Sequence, residues 1–205
     1  MLTFDHIAVA ARTVAEGVAY VQAQWGITLP PGGQHPVMGT HNHLARLGGA
    51  EYLEVIAVDP AATVPARPRW FNLDRFDSPP QVHAWVVSTL NMDAALTTLA
   101  QRLPGVDWGC PVPLSRGDLR WRMAVRDDGS LPWDGALPLL IEWPPSVHPA
   151  PQMAPSGRYL DTLTITHPRA DQLRAVFTGL LDDPRVRFEV GAAAQLGVGL
   201  VGDRR

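Results

Sequence analysis

The chain has 205 residues, 46% of them hydrophobic and 18% charged, enough to build a sizeable core in one domain or two small ones. Seventeen basic against twenty acidic residues leave a net charge of −3, so no basic surplus serves nucleic acid or an anionic membrane. All seventeen basic residues are arginine, which excludes Schiff-base lysines and lysine-dependent phosphate loops. The single cysteine, Cys110, excludes disulfide frameworks and multi-cysteine zinc sites. The opening Met1–His6 lacks the basic start and apolar run of a signal peptide, and no apolar run is long enough to span a bilayer. A soluble, cytoplasmic protein is expected.

Residues 5–21 resemble residues 82–98 in pattern at an offset of 77, which sets His6 on His83. Residues 161–177 resemble them again, with Thr162 in the histidine position. Each copy reads as a short strand, a cap and a helix. Thr13 with Glu16 forms a capping box, followed by Val14, Val18, Val21 and Trp25 at helical spacing, and Gly26 ends the helix. Asn91 caps the second helix, which carries Met92, Leu96, Leu99 and Leu103 before Pro104. Pro168 suits the first turn of the third, with Leu173, Phe177 and Leu180 as its stripe.

Strands follow at 41–48 and 51–58 about Gly48–Gly49, and at 118–126 and 137–143 about a loop with Asp127–Asp128–Gly129. Residues 36–40 and 106–112 each offer one more short strand. Proline-rich connectors cover 59–80 and 144–157. The expected organisation is α+β: a βαβββ unit over 1–58, a second over 81–143, and an incomplete third over 158–205. Two paired βαβββ units form a curved half-barrel sheet, with the third as a βαβ addition.

The last strand of unit one, Tyr52–Val58, holds Glu54 in an apolar run, and that of unit two, Pro138–Trp143, holds Glu142. A carboxylate in a strand covered on both faces needs a partner. Two histidines on first strands and two glutamates on last strands make an N/O ligand set for a divalent metal. A satisfied polar residue near a sheet edge is the ordinary alternative for each one alone. On the third strand of unit one, alternation puts His41 and His43 on one face and Asn42 on the other. These three are candidates for substrate contact or an exposed strand. Arg120 and Arg122 alternate on the third strand of unit two. They clamp a carboxylate or phosphate if their face is concave, and are solvated if it is convex. Trp25, Trp70 and Trp108 read as core or loop anchors, His35 and His148 as ordinary loop residues, and His167 as a helix cap. The string Gly197–Gly202 spells a dinucleotide fingerprint with no room for its helix, and Cys110 has no neighbouring base.

The paired units, the segments DHIAVAARTVAEGVAYV, GGQHPVMGTHNHLARLG and EYLEVIAVDP, and the placement of His6, Glu54, His83 and Glu142 resemble the vicinal oxygen chelate superfamily, and more narrowly its glyoxalase-like domain proteins. The resemblance covers about residues 3–143. It implies four ligands, His6, Glu54, His83 and Glu142, converging in the cleft on one divalent ion (zinc, nickel, manganese, cobalt or iron). It implies a lyase or isomerase in which the metal acts as Lewis acid on a small substrate with two neighbouring oxygens, and Glu142 or Glu54 moves the proton. An extradiol-type dioxygenase and a metal-free binding or sequestering protein are the alternatives on the same scaffold. The third unit, lacking both ligands, is expected to cover a sheet edge or to pair with another chain in a homodimer.

Overall fold

The computed structural model describes residues 1–145 and 147–202; Ser146 and the end of the third unit, residues 203–205, lie outside them. Unit one runs β1 (Thr3–Ala10), α1 (Val14–Trp25), β2 (Pro31–His35), β3 (Thr40–Arg46) and β4 (Tyr52–Val58). Unit two runs β5 (Gln81–Ser88), α2 (Met92–Arg102), β6 (Cys110–Arg116), β7 (Leu119–Val125) and β8 (Leu139–Glu142). Their eight strands join into one curled sheet in the order β2-β3-β4-β1-β5-β8-β7-β6. Within each unit the first strand lies parallel to the last, and the units meet through antiparallel β1 and β5. The curl brings the two edges together, so that the stem of Arg116 on β6 lies over Gly33 on β2. The short strands β2 and β6 sit four to five residues from the expected 36–40 and 106–112: the former is a tight turn, and the glycine and prolines around them hide the true boundaries.

Capping follows the sequence. Thr13 accepts from the Glu16 amide, Gly26 closes α1 at φ 67°, and Asn91 accepts from the Ala94 amide. Both helices cover the outer face of the sheet. Ile7, Val9, Leu53, Val55, Trp85 and Leu140 form that core with Val21 and Leu99. The inner face carries a second cluster that includes Ala8, Ile56, Ala84, Val86, Leu139 and Ile141.

The third unit is β9 (Arg158–Thr166), α3 (Ala170–Phe177), β10 (Val186–Glu189) and β11 (Gln195–Gly202), in a separate sheet ordered β10-β9-β11. Among the described residues none of its strands pairs with a strand of the large sheet. Leu163, Ile165 and Phe177 join the outer core beside Trp85, and Arg185 ties the unit to Glu51. The glycine-rich fingerprint is β11, antiparallel to β9. Among the described residues no helix is long and apolar enough to cross a membrane.

Strand pairing corrects the repeat. Ile7 pairs with Trp85 at the centre of the β1–β5 ladder, so the units are related by 78 residues, 7 to 85, and not by 77. The shift of 78 carries the pair Thr3–Ser88 onto Ala10–Gln81, Phe4–Val87 onto Val9–Val82, and His6–Val86 onto Ala8–Ala84. It also relates the β-bulges. Asp5 is the unpaired extra residue of β1 and His83 that of β5. In β9 the skipped residue is Asp161, another 78 further on. His83 is therefore the counterpart of Asp5, and His6 is matched by Ala84.

Helix α1 approaches the sheet closely at Gly17, where a Cβ would stand 2.4 Å from Val55 Cγ1. Alanine raises helix propensity by about 1 kcal/mol, but overpacking a core costs about 1–3 kcal/mol. Gly17→Ala is expected to lower the thermal midpoint, and a stabilised variant would show that the helix can lift off β4 freely.

Candidate functional site

The bulge in β1 decides which groups meet. In a regular strand Asp5 and His6 would point to opposite faces. With Asp5 as an extra residue, both side chains enter the concave face, and His6 Nδ1 donates to Asp5 Oδ1 at 2.7 Å. Asp5 also accepts from Trp143 Nε1 at 3.1 Å and His148 Nε2 at 3.2 Å. Burial alone would raise Asp5; hydrogen bonds from His148 and His6 outweigh it and hold the carboxyl down at about 2.

Glu54 is reached through the parallel β1–β4 ladder, where it pairs with Ala8 two residues beyond His6. Its Oε2 lies 3.5 Å from His6 Nε2. Its Oε1 accepts from Asn42 Nδ2 at 2.6 Å. Burial would raise Glu54, but His6 and Asn42 beside it keep it below the usual carboxylate range. Burial would lower His6; its bonds to Asp5 and Glu54 prevail and raise it to about 9. Tyr52 stacks on the His6 ring at 4.2 Å.

Asn42 is the hub on the other side. Its amide group donates to Glu54 and to His35 Nε2 at 3.3 Å, and its oxygen accepts from Arg116 Nη1 at 3.2 Å. His35 Nδ1 donates to Thr40 Oγ1 at 3.0 Å, and burial holds that imidazole down at about 4. Gly32 leaves room for the hub, since a Cβ there would lie 2.3 Å from Asn42 Oδ1. One polar chain thus runs Arg116–Asn42–Glu54–His6–Asp5–His148. Trp70, Phe71, Trp121, Met123, Ile141 and Trp143 wall the cavity around it. The cavity holds only about 20 Å³, room for roughly one water.

Of the four expected ligands the structure brings together His6 and Glu54. His83 and Glu142 lie elsewhere. The His83 imidazole donates through Nε2 to the Phe71 carbonyl at 3.0 Å and packs on Phe76. Phe71 and Asn72 hold left-handed backbone, φ 54° each, and Asn72 is tied to Gly129, so His83 steadies a strained connector. Glu142 points outward because Leu139 and Ile141 take the inner face of β8. There it accepts from the Met92 amide at the start of α2 and pairs with Arg122 at 2.9 Å. The counterpart of Glu54 is Leu139: Ala8 pairs with Glu54 in unit one, and Val86, 78 residues later, pairs with Leu139.

Among the substrate candidates only Asn42 faces the cavity. His43 donates to the Leu29 carbonyl on the outer side, and His41 shares that face. Arg120 turns back to the carbonyls of Gly117 and Leu119, and Arg122 is occupied by Glu142 and Asp93. The residues missed from sequence are Asp5, His35, Tyr52, Arg116 and His148. Asp5 stood next to His6, but its use depends on the bulge. His35 and His148 looked like loop residues; β2 and the fold of residues 147–150 bring them in.

The superfamily implies a divalent metal, and the donor set does not fit the four-ligand arrangement. Unit two offers Ala84 and Leu139 at the positions of His6 and Glu54. Among the described residues no cluster of three or more His, Cys, Asp or Glu side chains is disposed to hold an ion.

Two βαβββ units sharing a concave cleft, with His6 on the first strand and Glu54 on the last strand of unit one turned into it, define a vicinal oxygen chelate protein. The chain belongs to the glyoxalase-like domain family, whose pattern matches residues 4–181. A hypothetical protein from Staphylococcus aureus has a similar structure, with a TM-score of 0.66 at 15% identity over 95% of this chain and 88% of that one. The methylmalonyl-CoA epimerase of Streptomyces coelicolor, in complex with 2-nitronate-propionyl-CoA, gives a TM-score of 0.44 at 19% identity over 70% of this chain and 99% of its own. The epimerase of Mycobacterium tuberculosis gives 0.42 at 18% over 69% and 88%. The search of curated proteins yields no significant match.

Two outcomes are expected. His83→Ala should cost about 1–3 kcal/mol of stability through the orphaned Phe71 carbonyl, seen as a lower midpoint in denaturant, and should leave ligand binding in the cavity intact. Stability should peak near pH 6.5. His6 is raised in the fold, so its contribution is complete below 6.5 and is lost as pH climbs toward about 9. His35 is depressed, so its contribution is complete above 6.5 and is lost as pH falls toward about 4. Thermal melts from pH 4 to 10 check both limbs, and His35→Gln should flatten the acid one.

Proposed function

We propose that the protein is an enzyme that moves a proton on a small, oxygen-bearing substrate bound in the concave cavity, with Glu54 as the general base and His6 as the hydrogen-bonding cation beside it. The carrying observation is the buried Asp5–His6–Glu54 chain. Asp5 holds His6 from behind. The 3.5 Å approach of His6 to Glu54 is at the limit of a hydrogen bond. Glu54 Oε2 therefore keeps acceptor capacity toward a substrate proton, while Asn42 anchors Oε1. A base positioned in this way is worth about 10²–10⁴ in rate. His6 supplies a positive group where an oxyanion would develop. Isomerase or lyase chemistry follows from such a step.

A binding or sequestering protein is the second reading. It is favoured by the apolar half of the site, where Ala84, Leu139 and Ile141 supply no reactive group. Deuterium incorporation from D2O into a panel of 2-hydroxy ketones and 2-oxo acids, followed by proton NMR, separates the two. Wild type should exchange at least one member of the panel, and Glu54→Gln should slow it by at least about 100-fold while still binding it. Binding without exchange in both proteins would leave the sequestering reading standing and remove Glu54 as a base.

A further inference from the structure

Arg116 is the cation of the cavity that the preceding reading leaves without a task. It stands at the end of β6, its stem crosses the seam onto Gly33 of β2, and its guanidinium reaches Asn42 at 3.2 Å. Arg12, Arg67, Arg69, Arg122, Arg126, Arg174 and Arg185 all lie within 4.0 Å of a carboxylate. Arg116 has no carboxylate within that distance among the described residues, and its one hydrogen bond in the cavity is to a neutral amide oxygen. A guanidinium presents five N–H donors, and a fork facing an aromatic cavity with one bond made has donors to spare. Trp70, Trp121 and Trp143 offer flat apolar surface near it. Glu54 lies on the far side of Asn42, whose amide bonds the carboxylate through its nitrogen and the guanidinium through its oxygen.

We infer that Arg116 is the specificity residue of the site, and that the ligand is a monocarboxylate with a flat apolar body. The carboxylate takes the guanidinium in a fork, displacing the contact to Asn42, and the body lies among the tryptophans. One free cation matches one negative charge. A dianion would add a second charge beside Asp5 and Glu54, where the other cation, His6, already stands between those two carboxylates. Because the cavity holds about one water, the body of the ligand is admitted only as the walls part, and Arg116, whose stem bridges the seam to Gly33, stands on that boundary.

The proposal rests on the concave cavity being the ligand site, and its test uses binding rather than turnover. Phenylacetate and phenylacetamide share a body and differ in charge. Their affinities for the full chain are measured by tryptophan fluorescence and by calorimetry, with the fold of each variant checked by circular dichroism. Wild type should bind the acid at least about tenfold more tightly than the amide, the scale of one charge-assisted contact, with the difference shrinking as salt rises. Arg116→Gln should bring the two within about twofold by lowering only the affinity for the acid. Arg116→Lys should retain part of the preference, and it serves as the variant if the glutamine fails to fold. Arg120→Gln, whose guanidinium bonds the Gly117 and Leu119 carbonyls away from the cavity, should keep the preference, which separates the loss at Arg116 from a change in net charge. Equal affinities in wild type, or a preference that survives Arg116→Gln, would overturn the role of Arg116 alone. Failure of both probes to bind would overturn the proposal together with the cavity as the ligand site.

Discussion

One inserted residue in the first strand organises the concave face. The bulge at Asp5 breaks the period-two alternation, so that two successive polar side chains enter the same cavity. A buried imidazole beside a glutamate needs a counter-charge at its second nitrogen to be held in one orientation. Asp5 provides it, and Trp143 and His148 anchor Asp5 in turn. Without the extra residue the carboxylate would point into the outer core beside Ile7 and Val9, a place with no partner for a charge. The stacked Tyr52, the tethered Glu54 and the saturated Asn42 all depend on His6 standing where the bulge puts it.

The same local device has three outcomes along the chain. In unit one it delivers an acid to the cavity. In unit two the bulged residue is His83, whose imidazole leaves the cavity and steadies Phe71 and Asn72. In unit three it is Asp161, exposed on β9, where the unit contributes apolar packing to the outer core. Backbone geometry is shared by all three, and the chemistry depends on what surrounds each bulge.

Much of this architecture was legible from residue patterns. Thr13, Asn91 and Gly26 mark helix ends by local hydrogen bonding, which needs no tertiary context. The repeated strand–helix pattern revealed the two βαβββ units and the third partial one. The pairing of His6 with Glu54 followed from the first-and-last-strand rule of the superfamily. What stayed hidden depended on parity. A repeat offset wrong by one residue exchanges the faces of a strand, and so His83 was matched to His6 rather than to Asp5. Glu142 read as buried because β8 is apolar on both sides, whereas it is satisfied outside by the start of α2 and by Arg122. Arg116 carried no signal, because its meaning lies in the seam between β2 and β6, strands far apart in sequence.

The pseudo-dyad also measures how far the cleft stands from a symmetric one. Ala84 and Leu139 occupy the mirror positions of His6 and Glu54, and both already face inward across the ladder. A histidine and a glutamate at those two positions would repeat two groups of the polar half, while the counterpart of Asp5 remains His83, bonded to the Phe71 carbonyl. In engineering terms a symmetric site would also have to free the bulge at His83 from the connector it now holds, so the asymmetry of the cleft is built into a loop as well as into two side chains.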